Sequence, residues 1–323
     1  VKHYAGVDIG GTNMVIGIVN EAGETQKMVK IATEVKRGGE DVVRRLAEAI
    51  GQVQKEAQVT IQGVGIGVPG FVDHVKGTSV FAANLGWKDF PLADLLSAQI
   101  GGVPVFVNND VRMYVYGEAT GGAGRGFRHV LGITVGTGMA AAMYNDGRLY
   151  YGSGGRAGEL GHVTLEGIDY VCNCGLTGCL ETVASATGIA RQAREAVARG
   201  ESTVLARQFP GEKVADITSA DVSKAYDAGD PAAIAVLQRT GTLLGRGLAA
   251  AITLFSPDLI VVGGGAAQAG ERLLKPMREE IERAALSFYW RDLQIKPAEL
   301  LEDAGVVGSA LYARGRLEAG EVL

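Results

Sequence analysis

Tyr4-Ala5-Gly6-Val7-Asp8-Ile9-Gly10-Gly11-Thr12-Asn13-Met14-Val15-Ile16-Gly17-Ile18-Val19-Asn20 sets a glycine pair between two apolar stretches, and the element after those glycines settles the class of fold. Both flanks predict strands, over 4–9 and 14–20, so the glycines form a hairpin turn. The two widespread phosphate motifs, the dinucleotide fingerprint and the P-loop, each need a helix directly after their glycines. Neither fits. A hairpin turn rich in backbone N–H groups can still grip a polyphosphate. Gly10 and Gly11 then permit close approach, Thr12 adds a hydroxyl donor, and Asp8 could hold a magnesium ion through water. The plainer alternative is an ordinary hairpin with Asp8 as a turn residue.

The arrangement recurs. Residues 130–135 and 139–144 again predict strands, joined by Gly136-Thr137-Gly138. This is a weak internal repeat of domain size. Two such turns, one from each half, could pinch a polyphosphate between domains, with Thr137 matching Thr12. Around the first turn, a third strand is expected over 25–33, and a helix where Val42, Val43, Leu46, Ala49, Ile50 and Val53 recur. Strands over 61–68, ending at Pro69-Gly70, and over 103–108 come next. Asp110 then opens a helix toward Ala119, a position where Asp is ordinarily a cap. A meander passing into alternating strands and helices implies a mixed sheet covered by helices.

Beyond a short strand at 148–151, the pattern from Glu181 onward is mostly helical. Asp230-Pro231 starts a helix predicted to reach Phe255. A strand over 259–262 ends in Gly263-Gly264-Gly265, ahead of a helix around 271–286. Gly264 and Gly265 lack the acidic partner of a dinucleotide fingerprint, so close approach to an adenosine is the simpler use. Residues 200–219 show no firm periodicity and are expected to form a mobile lid or lobe. The expected domains are a smaller α/β unit over 1–110, completed by a C-terminal helix within 306–323, and a larger one over 111–305.

All three cysteines lie in Cys172-Asn173-Cys174-Gly175-Leu176-Thr177-Gly178-Cys179, with His162 a short way upstream. Three thiolates and one imidazole make a closed tetrahedral site for a structural zinc ion. Three unrelated reduced core cysteines are the plainer reading, and their clustering in one glycine-rich turn argues against it. A metal here would hold Glu159, His162 and Glu181 in a fixed relation.

With 323 residues, 47% of them hydrophobic and 21% charged, the chain is long enough for about two domain cores. The 48 glycines, about twice the usual share, fall in short clusters without a collagen period. A net charge of −5 and a pI near 5.5, with no basic run, argue against a nucleic-acid surface. No stretch approaches the ~20 apolar residues of a membrane span, and no signal peptide is read. Few cysteines, grouped as metal ligands, suit a reducing compartment, so a cytoplasmic protein is expected.

As a set, Asp8-Ile9-Gly10-Gly11-Thr12, Val68-Pro69-Gly70-Phe71-Val72-Asp73, Asn84-Leu85-Gly86-Trp87, Asn108-Asn109-Asp110, Glu159-Leu160-Gly161-His162 and the cysteine cluster with Glu181 resemble the ROK family (repressors, open reading frames, sugar kinases) of the actin-like ATPase superfamily. The resemblance covers nearly the whole chain. It implies two α/β domains of the actin-like, ribonuclease H-like fold, ATP in a cleft between them, and a hexose beside a small zinc-bound loop. By the same resemblance, Asp110 is the general base for the sugar 6-hydroxyl. Gly70, Asn84, Asn109, Glu159, His162 and Glu181 would hold the sugar, with His162 serving metal and sugar through different ring nitrogens. Asp8, Gly10, Gly11, Thr12 and Asn13, then Gly136, Thr137 and Gly138, then Gly264 and Gly265, would hold ATP with Mg²⁺. Asn13 stands where the family often has lysine, and Met139-Ala140 where further glycine is usual.

The function implied is ATP-dependent phosphorylation of a hexose, foremost glucose to glucose 6-phosphate. Kinases for mannose, fructose, N-acetylglucosamine or N-acetylmannosamine share these motifs, and polyphosphate is an alternative donor. Outside enzymes, the alternative is a sugar-sensing repressor lacking its DNA-binding segment. The expected partners are a hexose, ATP and a second copy in a homodimer, with no nucleic acid and no membrane.

Overall fold

The computed structural model describes residues 1–321; positions 322 and 323, within the range expected for the last helix, lie outside the described residues. In chain order the first elements are β1 (His3–Ile9), β2 (Asn13–Asn20), β3 (Thr25–Ala32), α1 (Gly39–Ala57), β4 (Ile61–Val68), β5 (Phe71–Asp73), β6 (Thr78–Ala82), β7 (Trp87–Phe90), α2 (Leu92–Gln99), β8 (Val105–Asn109) and α3 (Asp110–Gly121). Next come β9 (His129–Val135), β10 (Met139–Asn145), β11 (Arg148–Leu149), α4 (Glu181–Ala184), α5 (Ala186–Ala198), α6 (Val204–Gln208), α7 (Ser219–Asp227) and α8 (Pro231–Phe255). The chain closes with β12 (Leu259–Gly263), α9 (Glu271–Ala284), α10 (Ser287–Trp290), β13 (Gln294–Pro297) and α11 (Ala304–Glu318).

One sheet has the order β3-β2-β1-β4-β8, antiparallel among β1, β2 and β3 and parallel from β1 through β4 to β8. The other has the order β11-β10-β9-β12-β13, with β9, β12 and β13 parallel. Numbered within each sheet, both read third-second-first-fourth-fifth. The repeat visible in the two glycine turns is therefore a repeat of sheet topology. Short turns suffice for the meander, whereas the parallel strands need long crossovers, and those carry the helices.

The chain forms two compact units. One comprises Val1–Arg128, Ala142–Ala157 and the chain from Ala298 onward; the other comprises His129–Ala141 and Gly158–Pro297. In unit one, Val42, Leu46, Ile50 and Val53 form the apolar stripe of α1 and pack with Ile16, Ile66 and Val107 of the sheet. Helix α11 lies on β1 and β4 so closely that side chains at two strand positions are excluded. An added Cβ would stand 1.9 Å from the Val306 carbonyl oxygen at Gly6, and 1.8 Å from the Ser309 carbonyl oxygen at Gly65. The obstacle is backbone, which cannot rotate away. Gly65→Ala should cost about 3 kcal/mol or more and lower the urea midpoint accordingly. A midpoint equal to the parent's would refute this packing.

Unit two is built around α8. Asp230 caps it, Oδ1 accepting from Ala233 N–H at 2.9 Å, and Pro231 occupies the first turn, as the sequence predicts. Leu237, Leu244, Leu248 and Ile252 run along its buried face into a core shared with Ile133, Ile260 and Met277. No helix among the described residues is long and apolar enough to cross a membrane.

The structure adds elements the sequence did not show and corrects some expectations. Residues 71–99 contain a small antiparallel sheet, β5-β6-β7, and helix α2. Strands of three, five and four residues are too short to show a period. Residues 200–219 are packed rather than set apart as a lid. Leu205 and Ile217 enter the unit-two core, and Val204 N–H donates to Asp230 Oδ2 at 2.6 Å. The glycine run at 263–265 leads into a 3₁₀ turn, Gly265–Ala269, before α9 begins. The cap of α3 is Asn109 and not Asp110, because it is the Asn109 amide oxygen that accepts from Arg112 N–H, at 3.2 Å.

Candidate active site

The first glycine turn is held from both sides. Gly10 N–H donates to the Asn13 carbonyl at 2.8 Å, and Thr33, just past β3, donates through Oγ1 to the Gly10 carbonyl at 2.6 Å. Thr33 N–H also reaches the Thr12 carbonyl at 2.8 Å. The N–H groups of Gly11 and Thr12 have no hydrogen-bond partner among the described residues, and both residues are exposed. Two donors thus remain for an oxyanion. Asn84, in the 3₁₀ turn Ala83–Leu85, lies against this turn, its Cβ 3.4 Å from where a Cβ on Gly11 would be. Its amide is exposed and uncommitted.

Asp110 is the first residue of α3, where the helix dipole favours an anion. Its Oδ1 accepts from Val111 N–H at 2.9 Å. The preceding Asn109 is fixed twice, by the cap bond and by donation from Nδ2 to the Gly70 carbonyl at 3.2 Å. Gly70 has φ +89, and a Cβ there would lie 2.1 Å from the Phe81 carbonyl, so glycine is required for two reasons. Arg112, buried on the same helix, donates to the carbonyls of Gly155 and Ala157 at 2.5 and 3.1 Å.

Burial pushes the Asp110 carboxyl above its usual range, opposed by its hydrogen bonds to Val111 N–H and the Asn109 amide. Asp8 is pushed up to about 6, first by burial and then by the negative charge of Asp110. Paired carboxylates with uncompensated charge suit a hard cation such as Mg²⁺, so the donor chemistry here fits one. In the folded protein Asp8 titrates near 6, and in the unfolded chain near 3.8. The folded state holds the extra proton between these values, so stability falls as pH rises through that window and stays lower above it. Asp8→Asn should abolish this fall, stabilising the protein at pH 8 relative to pH 5 by about 1.5 kcal/mol compared with the parent. Urea midpoints at the two pH values test it, and an unchanged pH slope would refute it.

In unit two, Gly136 N–H donates to the Gly138 carbonyl at 2.9 Å, and Thr187 Oγ1 holds the Thr137 carbonyl at 3.0 Å. The exposed Thr137 and Gly138 keep N–H groups without a partner among the described residues. The pattern of the first turn is repeated. Met139 N–H donates to Glu181 Oε2 at 2.8 Å, and a Cβ on Gly138 would stand 2.6 Å from that oxygen. The other oxygen of Glu181 lies 3.7 Å from Cys172 Sγ. Glu181 therefore joins this turn to the cysteine cluster.

The ligand atoms of His162, Cys172, Cys174 and Cys179 all lie within 4.8 Å of one another. Cys174 and Cys179 sulfurs are 3.6 Å apart, and Cys172 Sγ is 3.8 Å from His162 Nδ1. A disulfide would need about 2.05 Å, whereas the edge of a tetrahedron with Zn–S of about 2.3 Å is about 3.8 Å. The residues fit zinc. Because Nδ1 faces the thiols, Nε2 of His162 is the nitrogen left for another partner. Glu159, at the entry to the 3₁₀ turn Leu160–His162, is exposed and its carboxylate is uncommitted.

Gly264 and Gly265 have different local roles. A Cβ on Gly264, which has φ +88, would lie 2.6 Å from the Val135 backbone, so this residue lets the chain pass β9. Gly265 borders a cavity of about 130 Å³ lined also by Ser219, Ser223 and Gln268. Nothing in the sequence singles out those three polar groups, or Thr33 and Thr187 behind the turns. They come from distant segments, and no local pattern marks them.

A model of the ROK family matches residues 4–316 of this chain. Over 312 residues the chain is 39% identical to a glucokinase of Halalkalibacterium halodurans, covering 95% of this chain and 93% of that protein. It is 37% identical over 316 residues to a glucokinase of Thermotoga maritima, covering 97% of each. Its structure is similar to that of a ROK family glucokinase from Streptomyces griseus in complex with glucose and AMPPNP, with a TM-score of 0.77, 34% identity, and coverage of 97% of this chain and 99% of that one. Family match, full-length relatives and shared mixed α/β fold agree, and this chain belongs to the ROK family.

Proposed function

We propose that this chain is an ATP-dependent hexokinase that phosphorylates glucose at its 6-hydroxyl. The observation that carries the reading is Asp110, a half-buried carboxylate at the N-terminus of α3 beside the doubly fixed Asn109. Near-full-length identity to glucokinases supports glucose as the substrate.

Asp110 accepts the hydroxyl proton as the oxygen attacks phosphorus, and the helix N-terminus with Val111 N–H favours its ionised form against the effect of burial. Positioning and neutralisation of charge do most of the work in phosphoryl transfer. The free N–H groups of Gly11, Thr12, Thr137 and Gly138 are the donors for phosphate oxygens. Mg²⁺, when bound through Asp8, supplies positive charge at the transferring group. Asn84, Asn109, Glu159, His162 and Glu181 are the partners of the sugar hydroxyls, with Gly70 allowing close approach. A zinc ion, when bound by His162 and the three cysteines, would hold the segment that carries Glu159 and His162 and leads to Glu181. Homodimeric assembly belongs to the same proposal, on the family resemblance.

A coupled assay of ADP formation with ATP and Mg²⁺ over a panel of hexoses tests the reading. Glucose is expected to give the highest kcat/KM. Higher values for mannose, fructose or an N-acetylated amino sugar would reassign the substrate, and no ADP with any hexose would reject kinase activity.

A further inference from the structure

Unit one contains a cavity of about 380 Å³ that phosphoryl transfer as proposed does not use, bordered by His74, Tyr116, Tyr151, Tyr312, Arg316 and Glu321 among others. Its size is that of a small-molecule site. A chain of hydrogen bonds runs along it. Asn108 Nδ2 donates to the Tyr151 hydroxyl at 2.8 Å, that hydroxyl lies 3.1 Å from the Tyr312 hydroxyl, and Arg316 Nη1 donates to the Tyr312 hydroxyl at 2.7 Å. The amide nitrogen and the guanidinium at the two ends can only donate. Of the two phenolic protons, one makes the bond between the tyrosines. The other has no acceptor among the described residues, whichever way that bond points.

Beside this spare donor sits a guanidinium that is largely buried. The Arg316 side chain is 14% exposed, and its carboxylate partner is Glu321, 53% exposed and five residues along the chain. The Arg316–Glu321 ion pair places an oxyanion beside this guanidinium at the edge of the cavity. His74 and Tyr151 stack in parallel at 3.7 Å, adding aromatic surface.

We propose that this cavity binds a small ring-bearing oxyanion, a phosphate monoester or a carboxylate, on Arg316 and the Tyr151–Tyr312 hydroxyls in place of Glu321. A guanidinium and a phenol converging on one anion form short, charge-assisted bonds. The site also faces inward along the chain. Asn108 Oδ1 accepts from Asn109 N–H at 2.9 Å, directly before Asp110. A ligand that takes the spare phenolic proton fixes the direction of the hydrogen bonds ending at this amide. The cavity would bind its ligand whatever sugar or donor the chain uses.

Isothermal titration of the full chain with phenyl phosphate, benzoate and inorganic phosphate tests it. Phenyl phosphate against benzoate separates the two oxyanion classes, and inorganic phosphate should bind more weakly than either for lack of a ring. Glu321→Gln, which removes the competing carboxylate at an exposed position, should tighten binding about three-fold. Arg316→Gln should weaken it at least about tenfold. Saturation should shift the side-chain amide NMR signal of Asn108. Failure of both ring-bearing probes to saturate below about 10 mM, or unchanged affinity in Glu321→Gln, overturns the proposal even if Arg316→Gln does not fold.

Discussion

Asp110→Asn is expected to lower kcat by at least about a thousandfold while glucose binding remains measurable. The substitution keeps the shape of the side chain and the oxygen that accepts from Val111 N–H, so α3 should still begin where it does. It removes the carboxylate that can take a proton from a hydroxyl at this helix start. It also removes the negative charge that helps raise Asp8, so the Asp8 carboxyl should ionise at lower pH than in the parent. In the parent, activity should decline as pH falls into the raised range of Asp110, because the protonated carboxyl is no base. A coupled assay with a glucose titration by intrinsic fluorescence separates kcat from binding. Turnover within tenfold of the parent would remove Asp110 from its proposed role.

Loss of the zinc ligands should have the second largest effect. Cys179→Ser is expected to abolish bound zinc and to lower Tm on the order of 10 °C. A few backbone hydrogen bonds, such as Leu165 N–H to the Gly178 carbonyl at 3.0 Å, and the buried Ile168 hold the rest of the loop. Its strand-like contacts are the isolated bridges Thr164↔Cys179 and Val171↔Thr177, and Cys179 is wholly buried while Cys174 is exposed. Without a metal, only the long contacts between Cys174 and Cys179 at 3.6 Å and between Cys172 and His162 Nδ1 at 3.8 Å would join these four groups. The disturbance should reach the second glycine turn, since Glu181 lies against Cys172 and accepts from Met139 N–H. KM for ATP should therefore rise together with the loss of stability. Elemental analysis, thermal melts and ATP titrations before and after chelation check this. A parent protein that holds no zinc, with Tm and KM indifferent to chelator, would defeat it.

The readable parts of the site share one property: their chemistry is local. Gly10-Gly11-Thr12 and Gly136-Thr137-Gly138 each lie between strands whose hydrophobic pattern is unmistakable. The Cys₃His cluster runs from His162 to Cys179, and the structure gathers it as the residue types imply. The start of α8 is equally plain, because Asp before Pro satisfies the first turn and fixes its backbone angle. The sequence also places a helix start at Asp110, as the structure does, yet the neighbouring Asn109 takes the capping bond. Asparagine and aspartate cap about equally well, so residue type does not choose between adjacent candidates.

Residue type at short spacing is enough to read the fold class, the two glycine turns, the Cys₃His cluster and the family. Which of these groups are free and which are committed depends on the folded chain. Asn84 and Glu159 keep uncommitted side chains, whereas Asn109 and Glu181 also brace backbone, and Asp8 and Asp110 share enough burial and charge for one to perturb the other. Folding also lays α11 over β1 and β4, bringing Val306 to Gly6 and Ser309 to Gly65 from the far end of the chain. The reason is physical. A hydrogen bond, a desolvation cost and a steric contact depend on groups brought together from distant parts of the chain, and no periodicity records that.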